Sequence, residues 1–330
     1  MRVLVTGASG FIGTALVRRL MAEGIDVCGT WRRDPAPTIP QVEWRQLSQI
    51  DSAAAWRDVA SGCEVVIHLA ALAHQTGTAA TGRWPEFWRV NVEATRILAR
   101  ASMVAGVRRL IFVSSVAAMC ARSEECVDEN SPCTPEEDYG RSKLEAERVL
   151  RSELEASVVD WCILRPPLVY GPGNPGNMAR LLQLIGTGLP LPFGAIRNRR
   201  SFMFLDNLVD AILTVVRYPA AIRATYLLSD GSDFTTPELV SALAAASGRT
   251  VRLVRVPIGL LKLSGRLGDL ASRFLRIDSG IDSYSVGRLV GSLRVNSCRF
   301  RGVFSWHPPI DVKLALARTC SVLRHDVSEP

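Results

Sequence analysis

No apolar run in the 330-residue chain approaches the roughly 20 residues a membrane span requires, because Gly, Arg or Asp interrupts each long stretch. The N-terminus, MRVLVTGASG, has no long apolar run ahead of its glycines, which argues against a signal peptide. Low-complexity tracts are missing too, and with 48% apolar residues the chain can bury a substantial core. Only four histidines are present, and none falls among the close-set Cys120, Cys126 and Cys133. Their spacing matches no zinc pattern, so no metal is expected. Most of the eight cysteines read as small core residues of a reducing compartment, which makes the cytoplasm the expected location. A net charge of +7 suits a polyanionic ligand, yet the arginines are spread along the chain rather than gathered in a tail. That distribution argues against nucleic acid as a partner.

What is present begins at residue 2. RVLVT reads as a strand, GASGFIG as a glycine turn and TALVRRLMAEG as a helix with apolar residues at helical spacing. In that context Gly7 permits the tight turn and Gly10 lets backbone N–H groups approach a pyrophosphate. Gly13 lets helix and strand pack closely, and the helix N-terminus favours negative charge. A dinucleotide is the expected cofactor. After a second strand, Ile25 to Thr30, an acidic residue usually meets the ribose, but here the chain reads Thr30-Trp31-Arg32-Arg33. Arg32 or Arg33 could pair with the 2′-phosphate of NADP(H), whereas Asp34 on the ribose would imply NAD. The missing acid favours NADP, with NAD as the alternative.

Further strands are expected at EVVIHL (64–69), ending in Ala70-Ala71, and at RLIFVS (109–114), ending in Ser114-Ser115. Helical stretches at 51–59 and 84–105 separate them. Alternation of this kind predicts a doubly wound parallel α/β sheet of Rossmann type, with the ligand crevice at the strands' carboxyl ends. Tyr139 and Lys143 stand four apart on one helix face. A lysine ammonium beside a phenol would lower its pKa from about 10 towards neutrality, suiting Tyr139 to acid/base work. Ser115 could hydrogen-bond the same substrate oxygen, with Ser114 as the fallback.

TGASGFIG, HLAA, NVEAT, VSS, YGRSK and RPPLVYGPG, in this order, resemble the extended short-chain dehydrogenase/reductase family from residue 1 to about 310. More narrowly they resemble its NAD-dependent epimerase/dehydratase group. The resemblance implies Ser115, Tyr139 and Lys143 as the catalytic trio, with Asn91 as a support. The expected cofactor set is Gly7, Ser9, Gly10, Phe11, Ile12, Gly13, Arg32, Arg33, Leu69, Ala70, Ala71 and Pro166, joined by Tyr139 and Lys143. Gln46 stands where the family commonly has an Asp near the adenine.

For the second half the resemblance implies a smaller, interleaved nucleotide-sugar lobe. Asn177 and Arg200 align with groups near the diphosphate, and Arg288 is a weaker candidate. Residues 1–168 would form the dinucleotide domain, with 204–230 returning to it, and 169–203 with 231–330 the sugar lobe. The apolar segment 256–277 is expected to be a helix that caps this lobe, with a membrane-surface role as the alternative and no stable insertion. The resemblance further implies a homodimer through helices 84–105 and 139–151. Dehydration of a sugar is disfavoured, because Val116 and Ala117 stand where dehydratases carry an Asp-Glu pair. The favoured reaction is NADPH-dependent reduction of a UDP-4-keto-6-deoxy-N-acetylhexosamine in surface-polysaccharide synthesis. A UDP-sugar 4-epimerase with bound NAD is the alternative, and a non-catalytic NAD(P) sensor is the alternative of another class.

Overall fold

The computed structural model describes residues 1–32, 37–72, 83–174, 176–275 and 282–325. Among the described residues twelve strands are formed: β1 (Arg2–Thr6), β2 (Asp26–Trp31), β3 (Glu43–Gln46), β4 (Val65–His68), β5 (Arg109–Val113), β6 (Cys126–Val127), β7 (Asp160–Arg165), β8 (Leu168–Tyr170), β9 (Arg200–Phe204), β10 (Arg223–Leu227), β11 (Asp233–Phe234) and β12 (Arg294–Val295). Seven of them make one parallel sheet in the order β10-β7-β5-β4-β1-β2-β3. Its central strands are near-continuous apolar runs because both faces are covered. Val3 and Val5 face one core and Leu4 the other, and Val65 and Ile67 alternate with Val66 in the same way.

On the first face lie the helices Phe11–Ala22 and Leu205–Arg217. On the second lie Ala53–Ala60, the helical segment 84–104 and Asp138–Leu154. From β1 the chain winds outward to β2 and β3, then crosses back to β4 and winds the other way. The reversal between β1 and β4 opens a crevice beyond their carboxyl ends, into which Gly7 and Ala70 lead.

The second lobe has its own core, built on the small sheet β11-β9-β8 and the helices Asn177–Gly186, Thr236–Ala246, Ile258–Leu275, Ser283–Val290 and Val312–His325. A full capping box, Thr235 with Glu238, starts the second of these. The lobes interleave, since β10 completes the large sheet after β8 and β9 have entered the small one. A second tie is the parallel pairing of β12 with β6, backed by a bridging apolar cluster of Val116, Met119, Val127, Leu227, Leu293 and Val295.

Candidate functional site

At the crevice floor the glycines are there for room. Gly7 has φ +69°, and a Cβ on it would stand 2.8 Å from the Ala70 nitrogen. A Cβ on Gly13 would stand 2.1 Å from the Gly7 carbonyl oxygen, so this crossing of turn and helix admits only glycine. Gly10 caps the helix Phe11–Ala22 with no side-chain hydrogen bond, leaving its first N–H groups for a ligand. Ser9 is exposed, Phe11 and Ile12 are half-buried, and Leu69, Ala70 and Ala71 line the opposite wall half-buried. This cradle fits a dinucleotide diphosphate. Thr30 is buried, and its Oγ1 accepts the Gly7 N–H at 3.3 Å, so it braces the turn. Arg32 is exposed just beyond β2, while Arg33 and Asp34 lie outside the described residues.

Ser115 and Tyr139 meet above this floor and share a hydrogen bond. The Ser115 Oγ also accepts the Ala117 N–H at 3.1 Å, which fixes its rotamer at the start of a short 3₁₀ turn. Gly140 makes the meeting possible, because a Cβ there would stand 2.2 Å from the Ala117 carbonyl oxygen. Lys143 is buried, donates to the Val113 carbonyl at 2.9 Å and lies 4.4 Å from the centre of the Phe112 ring. Burial pulls its pKa down to about 7, opposed by the Glu147 carboxylate. The Tyr139 phenol departs from the sequence expectation of a depressed pKa. Burial raises it, and the Ser115 bond and the Arg288 charge only partly offset the rise. The physical reason is that burial outweighs the positive charge nearby, with the Lys143 ammonium directed to the Val113 carbonyl.

Ser114 points the other way. Its hydroxyl donates to Glu147 Oε1 at 2.6 Å, and Glu147 in turn receives Arg165 through Nε at 2.9 Å and Nη2 at 2.5 Å. The Pro166 carbonyl accepts the Val116 N–H at 2.9 Å, tying the end of β7 to the Ser115 turn.

A buried chain of hydrogen bonds, not anticipated from sequence, connects floor and site. Ala70 N–H donates to Thr6 Oγ1 at 3.2 Å, and Thr6 Oγ1 lies 2.7 Å from His68 Nδ1. His68 Nε2 lies 3.0 Å from Thr95 Oγ1, which donates to the Asn91 carbonyl at 2.6 Å. Thr95 has one proton and spends it on Asn91, so His68 Nε2 donates. Burial first, then Lys143, pulls the His68 pKa down to about 3, which keeps the ring neutral near pH 7 and leaves Nδ1 to accept from Thr6. Asn91 sits in a π-helical turn, Trp88–Glu93, within the helical segment 84–104. Its amide accepts from Leu72 N at 2.7 Å and donates to the Leu72 carbonyl and to Ser142 Oγ. Ser142 then donates to the Tyr139 carbonyl at 2.8 Å. The HLAA motif showed His68 only as a strand residue; its partners are too distant in sequence to be read there.

Arg200 and Arg288 come together from β9 and the helix Ser283–Val290. Arg200 is buried, and its Nη1 donates to the carbonyls of Arg288 and Gly291 at 3.1 and 3.0 Å. Burial and then the Arg288 charge pull its pKa down to about 10. Arg288 binds the Tyr284 hydroxyl, which donates to Glu137 Oε2 at 3.2 Å, two residues before Tyr139. Arg288 is near enough to act on the Tyr139 phenol, and with Arg200 beside it forms a cationic wall suited to a diphosphate. Asn177 opens the helix Asn177–Gly186, and its side chain lies outside the described residues. Among the described residues no group of three or more His, Cys, Asp or Glu converges on a metal position.

A glycine-cradled crevice with a phenol, a serine and a lysine at its rim defines an NAD(P)-linked enzyme of the short-chain dehydrogenase type. Residues 3–228 match the NAD dependent epimerase/dehydratase family, and the chain belongs to it. It is 33% identical over 313 residues to the UDP-glucose 4-epimerase of Vibrio cholerae, covering 93% of this chain and 90% of that one. It is 29% identical over 301 residues to the N-acetyl-alpha-D-glucosaminyl-diphospho-ditrans,octacis-undecaprenol 4-epimerase of Escherichia coli O157:H7, covering 90% and 88%. Among solved structures, MoeE5 in complex with UDP-glucuronic acid and NAD superposes with a TM-score of 0.77 at 25% identity, covering 99% of this chain and 100% of that one.

Proposed function

We propose that the protein interconverts the C4 epimers of a sugar carried on a nucleoside diphosphate, with NAD as cofactor. The observation that carries this reading is the Ser115–Tyr139 hydrogen bond set beside Lys143 at the mouth of the glycine-cradled crevice. A dinucleotide held by the Gly7–Gly13 cradle would supply hydride acceptance and donation at C4. Tyr139 Oη, as the phenolate that positive charge beside it would favour against burial, takes the proton of the C4 hydroxyl and returns it on the reverse transfer, and Ser115 Oγ holds the same oxygen in place. Lys143 supplies positive charge beside the phenol, and by the family resemblance also contacts the nicotinamide ribose. Arg200 and Arg288, with Asn177, hold the diphosphate. The E. coli relative's polyprenyl diphosphate would present the same group to this wall.

Epimerisation stands first because the relatives at 33% and 29% identity are both named as 4-epimerases. The NADPH-dependent 4-keto reductase is the second reading, favoured by the exposed Arg32 at the end of β2, where a 2′-phosphate would lie. Two incubations separate them. UDP-glucose or UDP-GlcNAc with NAD should yield the C4 epimer, detected by anion-exchange chromatography. Failure of that conversion, with NADPH consumed on UDP-4-keto-6-deoxy-GlcNAc, would install the reductase instead. A homodimer is proposed through the helical segment 84–104 and the helix Asp138–Leu154, where Trp88, Met103 and Val104 are exposed. Light scattering at micromolar concentration should give twice the 36.0 kDa chain mass.

A further inference from the structure

The helix Ile258–Leu275 has two unlike faces. Leu261, Gly265 and Gly268, at spacings of four and three, are buried. The glycines matter here, since a Cβ on Gly265 would stand 2.9 Å from the Ser283 Cα. That close approach seats the helix on its neighbour Ser283–Val290, and Asp269 Oδ1 accepts the Ser283 N–H at 3.1 Å. Leu260, Leu263, Leu267 and Leu270, at spacings of three, four and three, form a stripe on the other side with exposures of 57, 49, 56 and 52%. At about 100° per residue these four leucines lie within one quadrant of the helix. A solvent-facing helix surface normally carries polar residues at such positions.

Charge flanks the stripe on one sign. Lys262 and Arg266 are exposed along one edge, and Arg252 and Arg255 are exposed just before the helix. Across residues 252–270 these four cations meet a single carboxylate, Asp269, which is turned inward to Ser283. Leucines on the crest with basic side chains alongside match an element lying in the headgroup boundary of a bilayer, where long cationic stems reach up to anionic phosphates. A second protein copy fits less well. Four half-exposed leucines fall short of the roughly 800 Å² per partner that a stable interface buries, and four cations on each copy would repel. No helix among the described residues is long and apolar enough to cross a membrane, so the contact is peripheral.

We propose that the stripe Leu260–Leu270, with Lys262, Arg266, Arg252 and Arg255, docks the protein on the surface of an anionic lipid bilayer. The docking helix rests on the helix that carries Arg288, so the diphosphate wall is held next to the membrane surface. The surface is independent of the C4 reading, and the test keeps the two apart.

Full-length protein is mixed with vesicles of phosphatidylglycerol and phosphatidylcholine, or of phosphatidylcholine alone, and pelleted at low and high salt. Capture is expected on the anionic vesicles only, weakening as salt rises. The double variants Leu263→Glu/Leu267→Glu and Lys262→Glu/Arg266→Glu should each lower partitioning at least about tenfold, with turnover of a water-soluble UDP-sugar unchanged. Wild-type protein that stays in the supernatant, or variants that pellet like wild type, would overturn the proposal. So would concentration-dependent self-association that Leu263→Glu/Leu267→Glu abolishes without any vesicle capture, which would assign the stripe to a second copy. Vesicle capture by a protein inactive on every UDP-sugar would sink the C4 reading and leave the docking surface standing.

Discussion

Ser114 and Ser115 are adjacent, yet one hydroxyl is spent on the buried Glu147–Arg165 pair and the other meets Tyr139. Successive residues at a strand's end point to opposite sides, so the two serines divide between core and crevice. Ser115→Ala should lower turnover about 10²–10³-fold at unchanged unfolding midpoint, since it removes a donor aimed at the reacting oxygen. Ser114→Ala should do the reverse. It leaves a charged, buried acceptor short of a partner, costing about 1–3 kcal/mol in urea denaturation, with turnover within about tenfold of wild type. Tyr139→Phe should retain cofactor affinity by titration while turnover falls below about a tenth of wild type. The sequence favoured Ser115 by resemblance, with Ser114 as the fallback, but carried no physical reason for the choice, because that depends on Glu147, more than thirty positions away, and on the turn at Val116–Ala118.

The helix Asp138–Leu154 delivers Tyr139, Lys143 and Glu147 from successive turns, and its seating rests on Gly140. Gly140→Ala would improve intrinsic helix propensity by about 1 kcal/mol, so a purely local view expects stabilisation. The Ala117 carbonyl, 2.2 Å from the new methyl, decides otherwise. The helix must lift from the Ser115 turn, and a displacement near 1 Å can cost about 10²-fold in rate. The expected result is folded protein by circular dichroism, with kcat reduced at least about tenfold and the unfolding midpoint lowered. Wild-type kinetics would show that the helix can slide without disturbing Tyr139. Periodicity made this helix and the segment 84–104 legible in advance. It could not reveal the π turn at Trp88–Glu93, because the extra residue is held by Asn91 reaching Leu72 and Ser142.

Across the whole molecule, acid should act through His68. Its folded pKa is about 3 against an ordinary 6.5, so between these values the unfolded chain binds a proton that the native state refuses. Stability from this group is complete above pH 6.5 and falls as pH drops towards 3, by up to about 1.4 kcal/mol per unit. Asp230 runs the other way. Burial lifts its pKa from 3.8 to about 6, so its contribution is full below 3.8 and is lost as pH rises through 6. The two oppose each other in mild acid, so the difference between wild type and His68→Gln isolates the histidine. Urea midpoints at about pH 7.5, 6 and 5 should fall more steeply for wild type; parallel slopes would mean His68 titrates normally. Much of the architecture was readable, since the Rossmann winding followed from strand and helix alternation. The pairings β11-β9-β8 and β12-β6 were not, because strands of two or three residues carry no periodicity and take their shape from what they lie against.

Interleaving also sets a timetable for synthesis. β7 is complete at Arg165, but its outer neighbour β10 begins only at Arg223, after the chain has passed through β8 and β9. At 5–20 residues per second a ribosome needs roughly 3–12 s for the intervening 60 or so residues. Until then the nascent sheet exposes the unpaired edge of an apolar strand, and the Arg109 guanidinium lacks the carbonyls of Val215, Tyr218 and Ala220 that it binds in the finished protein. A nascent chain stalled in that interval should be the species that chaperones hold and that aggregates when they are scarce.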